Sequence, residues 1–342
     1  MKGEFRHVLI KGISAAVPEN RFDNLLYAEQ LDDKKLRKQI KLTGVLERRL
    51  TVKGQKASDI AVTAAKKLMD KLGWDSSSIS VVIYVTQSSD IDRPSTAFMI
   101  QGELGIGEDC LVYDINMGCA GYTGGLVSIC SLLESCKGRG LLLVGESVAG
   151  ECKDERTHYL LEGDAASATA LEYAEEAQSI NYLCKSNGSK VNQLFKPKTG
   201  PAYMDGNAIL LFGLNEVATS IREYVNERKN EKEIDFYVFH QAQKLIVSGV
   251  ADEAGIDLNK LLISCDKFGN TSSASIPLSI VVNSGRLYDG ENRLLLCGFG
   301  IGLAWDVVEL SVSKNAVIQL IESDYIYDNM KRIREGETQH EQ

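Results

Sequence analysis

Several features are missing from this chain, and each absence narrows its class. No apolar run among the 342 residues reaches the length of a membrane span, and the start Met1-Lys2-Gly3-Glu4-Phe5-Arg6-His7 has no signal-like apolar segment. The eight cysteines form no Cys-x-x-Cys pair, and the 4 histidines fall at no ligand spacing, so no metal site is expected. Scattered thiols of this kind read as a reducing cytoplasm. Positive charge is in deficit: 38 Lys+Arg stand against 47 Asp+Glu, a net charge of −9. That balance argues against general nucleic-acid or anionic-membrane binding and leaves room for a local basic patch. Prolines number only 5; composition is otherwise that of a globular protein, 44% hydrophobic and 25% charged. The length suits two domains or one large duplicated one.

What is present is organised around Leu111-Val112-Tyr113-Asp114-Ile115-Asn116-Met117-Gly118-Cys119-Ala120-Gly121-Tyr122-Thr123-Gly124-Gly125-Leu126. An apolar run of strand length gives way to small residues that continue as a helical pattern, with Cys119 on the joint. A thiol at a helix N-terminus meets backbone N–H groups and partial positive charge, which favour thiolate, so a depressed pKa is expected there.

Before this stretch the spacing predicts a strand at Val8–Ile13, a turn at Pro18-Glu19-Asn20 and a charged amphipathic helix at Leu25–Arg37. A helix capped by Ser58 buries Ile60, Ala64, Leu68 and Leu72 and stops at Gly73. Val81–Val85 reads as a strand buried on both faces, Phe98–Leu104 as a short helix, and Leu141–Gly145 as the next buried strand. Gly163–Ala168 leads into a strand through Leu171-Glu172.

The second half repeats this order. A helix is marked by Ala208, Leu211, Phe212, Asn215, Ala218, Ile221 and Val225. A strand, Ile234–Phe239, then ends at His240-Gln241-Ala242. A further helix runs to Gly255, followed by a strand at Leu261–Cys265 and another helix opening after Asp266–Ser273. Arg293–Cys297 and Leu303–Val312 form a hairpin-like pair around Gly298-Phe299-Gly300-Ile301-Gly302. Cys119 lies 32 residues after Gln87 and Asn270 lies 29 after Gln241, each at a strand-to-helix joint. This is a duplicated βαβ-rich unit, and it would bring Cys119, His240 and Asn270 to facing strand ends, where α/β sheets bind ligands. Asn315–Asn329 is read as one more amphipathic helix and Gly336–Gln342 as a loose polar tail.

Met117-Gly118-Cys119-Ala120-Gly121-Tyr122, His240-Gln241-Ala242 and Gly269-Asn270-Thr271-Ser272-Ser273-Ala274-Ser275-Ile276-Pro277 resemble the three active-site motifs of β-ketoacyl-acyl-carrier-protein synthase III. Gly298–Trp305 resembles that family's glycine-rich segment, and Gly163-Asp164 and Asp205-Gly206 fall where it has similar pairs. The resemblance covers about residues 5–312. It implies an α/β thiolase fold of duplicated halves in an α-β-α-β-α core: residues 1–175 with the nucleophile, 176–312 with His and Asn, and an extension, 313–342. It also implies a cytoplasmic homodimer that takes acyl-CoA or acyl-carrier thioesters as substrates, with no further cofactor. Cys119 would accept the acyl group. His240 and Asn270 would hold the enolate left when malonyl-acyl carrier protein loses CO₂, and the N–H groups of Cys119 and Gly302 would form the oxyanion hole.

Related families fit less well. Thiolases supply a His where Asn270 stands, and hydroxymethylglutaryl-CoA synthases use a Glu near the end of the Val85-Thr86-Gln87 strand. Type III polyketide synthases share Cys-His-Asn, but the His-Gln-Ala context favours synthase III. An acyltransferase to an alcohol or amine is the nearest alternative activity; a non-catalytic partner subunit is disfavoured by the intact Cys119, His240 and Asn270.

The departures concern substrate binding. The family's adenine-stacking Trp falls at Lys38, a nearby Arg at Leu42, and a basic position after the His motif at Leu245, beside Lys244. Arg156 matches the second adenine contact. The Phe that closes the neighbouring subunit's acyl pocket falls at Arg93. These substitutions point to a short or polar acyl primer delivered by a carrier protein, with Lys38, Lys41 and Lys244 meeting its acidic surface.

Overall fold

The computed structural model describes residues 1–147, 149, 160–228 and 232–336. Its strands are β1 (Lys2–Phe5), β2 (Val8–Val17), β3 (Arg21–Asp23), β4 (Glu47–Arg49), β5 (Ile79–Val85), β6 (Leu111–Ile115), β7 (Arg139–Glu146) and β8 (Ala165–Tyr173). They continue as β9 (Ile180–Ser186), β10 (Leu194–Phe195), β11 (Tyr203–Met204), β12 (Phe236–Phe239), β13 (Glu291–Gly300), β14 (Ala304–Ser313) and β15 (Val317–Glu322). Two large mixed sheets result. The first runs β15-β2-β8-β7-β5-β6 and the second β1-β9-β14-β13-β12.

Both sheets are covered on two faces, which is why their strands read as continuous apolar runs rather than alternating ones. Leu142 and Val144 of β7, with Leu294 and Leu296 of β13, face a central layer made by the Gly121–Cys136 and Ser275–Val282 helices. Their neighbours Leu141 and Leu143 face outward onto the Ala57–Leu72 helix, whereas Leu295 and Cys297 pack beneath Phe212, Ile221 and Val250. Side chains alternating with period two thus build the α-β-α-β-α layering of the thiolase fold.

Several elements differ from the sequence-based expectation. The Leu25–Arg37 segment holds two helices, Asn24–Gln30 and Lys34–Thr43, because Asp32 has φ +48° and Asp33 caps the second by accepting from Leu36 N–H. The helix expected to be capped by Ser58 starts two residues earlier, at Ala57 after Lys56; Asp59 takes the Lys56 N–H, and the Ser58 hydroxyl goes to Asp90 at 2.6 Å. The helix through Ala208–Val225 contains a π turn at Gly213–Val217. Leu261–Cys265 is not a strand: Leu261 makes one parallel bridge to Tyr237, and Cys265–Phe268 is helical.

The largest change is at the C-terminal end. The expected Asn315–Asn329 helix is instead β15 followed by a short helix, Asp328–Arg334. β15 pairs parallel with β2, whose edge would otherwise stay unpaired. Arg334 is then tied down by Asp59 at 2.8 Å, by Asp90 at 2.5 Å and by Ser58 at 3.1 Å. β1, from the other terminus, crosses to the second sheet and pairs with β9. Of the expected loose tail, residues 337–342 lie outside the described residues.

Candidate active site

Steric crowding sets the joint at Cys119. Gly118 has φ +52°, a left-handed backbone that favours glycine, and a Cβ there would stand 2.6 Å from Ile301. At Gly121, where the helix begins, a Cβ would stand 2.3 Å from Val85. The thiol therefore faces the β13–β14 turn, where Gly300 comes so close that its Cβ would be 3.3 Å from Cys119 Sγ. Gly302, with φ +135°, continues that turn.

His240 follows β12 directly. Its backbone N–H donates to the Cys297 carbonyl at 2.9 Å, its Nδ1 lies 3.0 Å from Ser275 Oγ, and Phe299 packs edge-on against the ring. The ring is buried, which lowers its pKa to about 4 against the pull of a hydrogen bond to the Ser272 backbone; it is neutral at physiological pH.

Asn270 is held across the two halves. Its backbone N–H donates to Leu161 O at 2.7 Å, and the Gly163 N–H donates to Asn270 O at 3.0 Å. Its Oδ1 accepts from Ser272 N–H at 2.9 Å, and this fixes the amide so that Nδ2 is the donating end, 3.2 Å from Glu162 Oε1.

Ser272 joins the three. Its Oγ lies 3.6 Å from Cys119 Sγ, its N–H bonds Asn270, and its backbone bonds the His240 ring. Gln87 donates to the same Oγ at 3.1 Å. Cys119, His240 and Asn270 thus share one serine at the ends of the strands.

Two carboxyl groups complete the surroundings. Glu146, at the end of β7, receives Gln87 N–H at 3.1 Å, Ser88 Oγ at 3.1 Å and Ser273 Oγ at 3.2 Å; burial raises it to about 7. Burial, with Glu146 nearby, raises Glu162 to about 8. The Cys119 thiol is likewise pushed up to about 12, by burial first and then by Glu162 and Glu146 against the Ser272 hydrogen bond. This runs opposite to the depressed pKa expected from the helix start, because desolvation beside two acids works against the backbone N–H groups there.

Ser272, Ser275, Gln87, Glu146 and Glu162 were given no role by sequence reasoning. Ser272 and Ser275 sit inside the Asn270 motif, and Glu146 breaks an apolar strand at its last residue, which is a legible signal. Glu162 simply precedes Gly163-Asp164, and only the fold brings it to Asn270.

The remaining candidates lie apart from this cluster. Arg93 is exposed on the loop before the Thr96–Glu103 helix. Lys244 is exposed and opens the Lys244–Glu253 helix, its Cβ 2.7 Å from where one on Gly44 would be. It stands beside the end of the helix that carries Lys38 and Lys41. Arg156 lies outside the described residues.

Known proteins match this arrangement. The description 3-oxoacyl-[acyl-carrier-protein (ACP)] synthase III fits residues 113–188, and that of the same synthase's C-terminal part fits residues 226–311. A β-ketoacyl-[acyl-carrier-protein] synthase III from Neisseria meningitidis is 30% identical over 321 residues, spanning 89% of this chain and 99% of that protein. One from Staphylococcus saprophyticus is 31% identical over 314 residues, with coverage of 89% and 99%. The crystal structure of a 3-oxoacyl-(acyl-carrier protein) synthase from Burkholderia xenovorans superposes with TM-score 0.89 at 30% identity, covering 94% of this chain and 99% of that one.

Proposed function

The chain belongs to the 3-oxoacyl-[acyl-carrier-protein] synthase III family, and on that premise we propose that it joins two acyl thioesters at the cluster around Ser272. It is an acyltransferase of the condensing type. In the first half-reaction Cys119 attacks the acyl thioester, and the thiol proton leaves with the departing thiol of the donor. The oxyanion is held by the N–H groups of Cys119 and Gly302. The close approach of the Gly300 turn to Sγ supports this.

In the second half-reaction malonyl-acyl carrier protein loses CO₂. The enolate oxygen takes hydrogen bonds from neutral His240 and from Asn270 Nδ2, and its carbon attacks the acyl-Cys119 carbonyl, releasing the thiolate. Neutral donors suit this step because neither can lose its role by titrating near pH 7; His240 gains a proton only near pH 4.

The observation that carries the reading is the shared contact of Cys119, His240 and Asn270 with Ser272. The test is intact-protein mass after incubation with acyl thioesters, followed by CO₂ release from malonyl carrier. A family of acyl adducts on Cys119 and CO₂ release that needs Asn270 are expected.

The carrier would dock on the face shared by Lys38, Lys41 and Lys244, whose charge complements an acidic partner. A homodimer is supported by the position of β6 at the sheet edge among the described strands, where Leu111 and nearby Phe98 are about half exposed. Arg93, five residues before Phe98 in sequence, would then enter the neighbouring copy's acyl pocket and favour a short or polar primer. A cytoplasmic setting fits seven described cysteines that are all unpaired; among the described residues no helix is long and apolar enough to cross a membrane.

A further inference from the structure

Decarboxylation supplies its own enolate, so the half-reactions above leave Glu162 without a task. Yet Glu162 is fixed at the place where an enolate would form. It makes an isolated parallel bridge with Asn270, flanked by the Leu161 and Gly163 hydrogen bonds, and its Oε1 accepts from Asn270 Nδ2 at 3.2 Å. A side-chain NH₂ has two hydrogens, so two acceptors on it stand about 5 Å apart. A thioester whose oxygen took the second hydrogen would place its α-carbon between that oxygen and the Glu162 carboxylate, within reach of a proton transfer. Glu146 has no such opening, because Gln87, Ser88 and Ser273 already occupy it.

We propose that Glu162 is the base for a second, non-decarboxylative condensation in this site, whose second substrate is an acyl thioester carrying an α C–H and no malonyl carboxylate. The inference rests on the assignment of Asn270 and His240 as enolate donors. Glu162 carboxylate takes the α-proton, and the C–H pair becomes the enolate held by those donors. The carbanion forms a C–C bond with the acyl-Cys119 carbonyl, the C–S bond breaks, and the proton on Glu162 passes to the Cys119 thiolate. No oxidant, reductant or further reactant is needed.

The electrostatics agree. Burial, Glu146 and Asp164 hold the Glu162 proton affinity up, while Asn270 and the Arg48 guanidinium oppose them. A carboxyl raised to about 8 is a stronger base than a surface carboxylate, and a thiol at about 12 takes the proton back readily. Cys119 and His240 are uncharged around neutrality, so the facing charges are Glu146, Asp164 and Arg48 alone among these groups. An ionised Glu162 also repels a malonyl carboxylate but not a plain acyl chain.

Deuterium wash-in tests the proposal. The protein is incubated with acetyl-pantetheine in D₂O, and label in the methyl group is followed by NMR between pH 6.5 and 9. Exchange at least tenfold above buffer is expected, rising through about pH 8, with Glu162→Gln losing it and Glu162→Asp retaining part of it with the same pH trend. No exchange above buffer, or undiminished exchange in a folded Glu162→Gln protein, overturns the proposal. CO₂ release from malonyl-pantetheine by the unmutated protein is measured alongside. If CO₂ is released without exchange, only the base assignment falls; if neither occurs, the enolate-donor reading falls with it.

Discussion

The two strand-to-helix joints began as equivalents and are held in different ways. Cys119 follows a full strand: β6 pairs with β5 over its whole length, and Gly118 and Gly121 seat the turn against Gln87 and Val85 of the same half. At Asn270 the corresponding strand has shrunk to one bridge between Leu261 and Tyr237. Support comes instead from the first half, through Leu161, Glu162 and Gly163. The Cys119 joint is thus seated from both halves, by Gln87 and Val85 of its own and by Ile301, Gly300 and Ser272 of the other, on a full strand, whereas Asn270 lacks that strand and leans on the first half for its backbone and side-chain partners. The proposed acylation and condensation residues therefore differ in how far they depend on bracing from the opposite half.

Removing the nucleophile should have the largest effect. Cys119→Ala is expected to lower acyl transfer by on the order of 10³ or more, with no acyl adduct by mass, since the three atoms nearest a Cβ on Gly300 all belong to Cys119. Retained adduct formation on another thiol would defeat the assignment.

Breaking only the cross-half brace comes next. A Cβ on Gly163 would stand 2.0 Å from the Phe268 carbonyl oxygen, so Gly163→Ala must shift the segment that holds Asn270. CO₂ release from malonyl carrier should fall by about 10²-fold, the scale of a lost oxyanion donor, while acyl-Cys119 still accumulates. Equal loss of both half-reactions in a folded protein would erase the contrast between the joints.

Ser272→Ala should act on both sides more gently. It removes the hydroxyl between Cys119 and Gln87 but leaves the N–H to Asn270, so a loss of about tenfold, close to one hydrogen bond, is expected in acylation. The same variant should raise the pH at which iodoacetamide labels Cys119, because that hydroxyl lowers the thiol's proton affinity.

The smallest effect is on stability. Glu146 and Glu162 are raised from 4.5 to about 7 and about 8, so the folded state binds more protons than the unfolded one across that range, and stability falls as pH rises. His240, lowered from 6.5 to about 4, has the opposite slope, which fades as pH rises past 6.5. Between about pH 7 and 8 the two carboxyls outweigh the fading histidine contribution and the melting temperature should drop. Glu146→Gln should flatten that drop; a melting temperature independent of pH in the unmutated protein would contradict the burial of both acids.

Much of this was legible in the sequence because it lies in local pattern. The buried strands Val81–Val85 and Leu141–Gly145, the Cys119 joint and the His240 strand end all announce themselves by apolar runs and punctuation. Leu261–Cys265 misleads because an apolar run of five looks like a strand whether or not a partner exists to pair with it. Val317–Glu322 misleads in the other direction, its partner β2 lying some 300 residues earlier. The thiol's proton affinity depends on Glu146 and Glu162, two acids that no spacing relates to Cys119.

The exchange of terminal strands constrains how the molecule can be made. β2 leaves the ribosome some 300 residues before its parallel neighbour β15, and Arg334 must follow in turn before Asp59 and Asp90 meet their guanidinium. β1 in turn waits for β9. Nascent chain therefore carries an open sheet edge for as long as the residues between β2 and β15 are being made, in contrast to proteins whose first domain closes while the second is still being synthesised. Neither half can be excised as a finished unit, since the first sheet takes β15 from the extension beyond the second half and the second sheet takes β1 from the first half. A stop codon that spared every catalytic residue but fell before Val317 would still leave the first sheet unfinished.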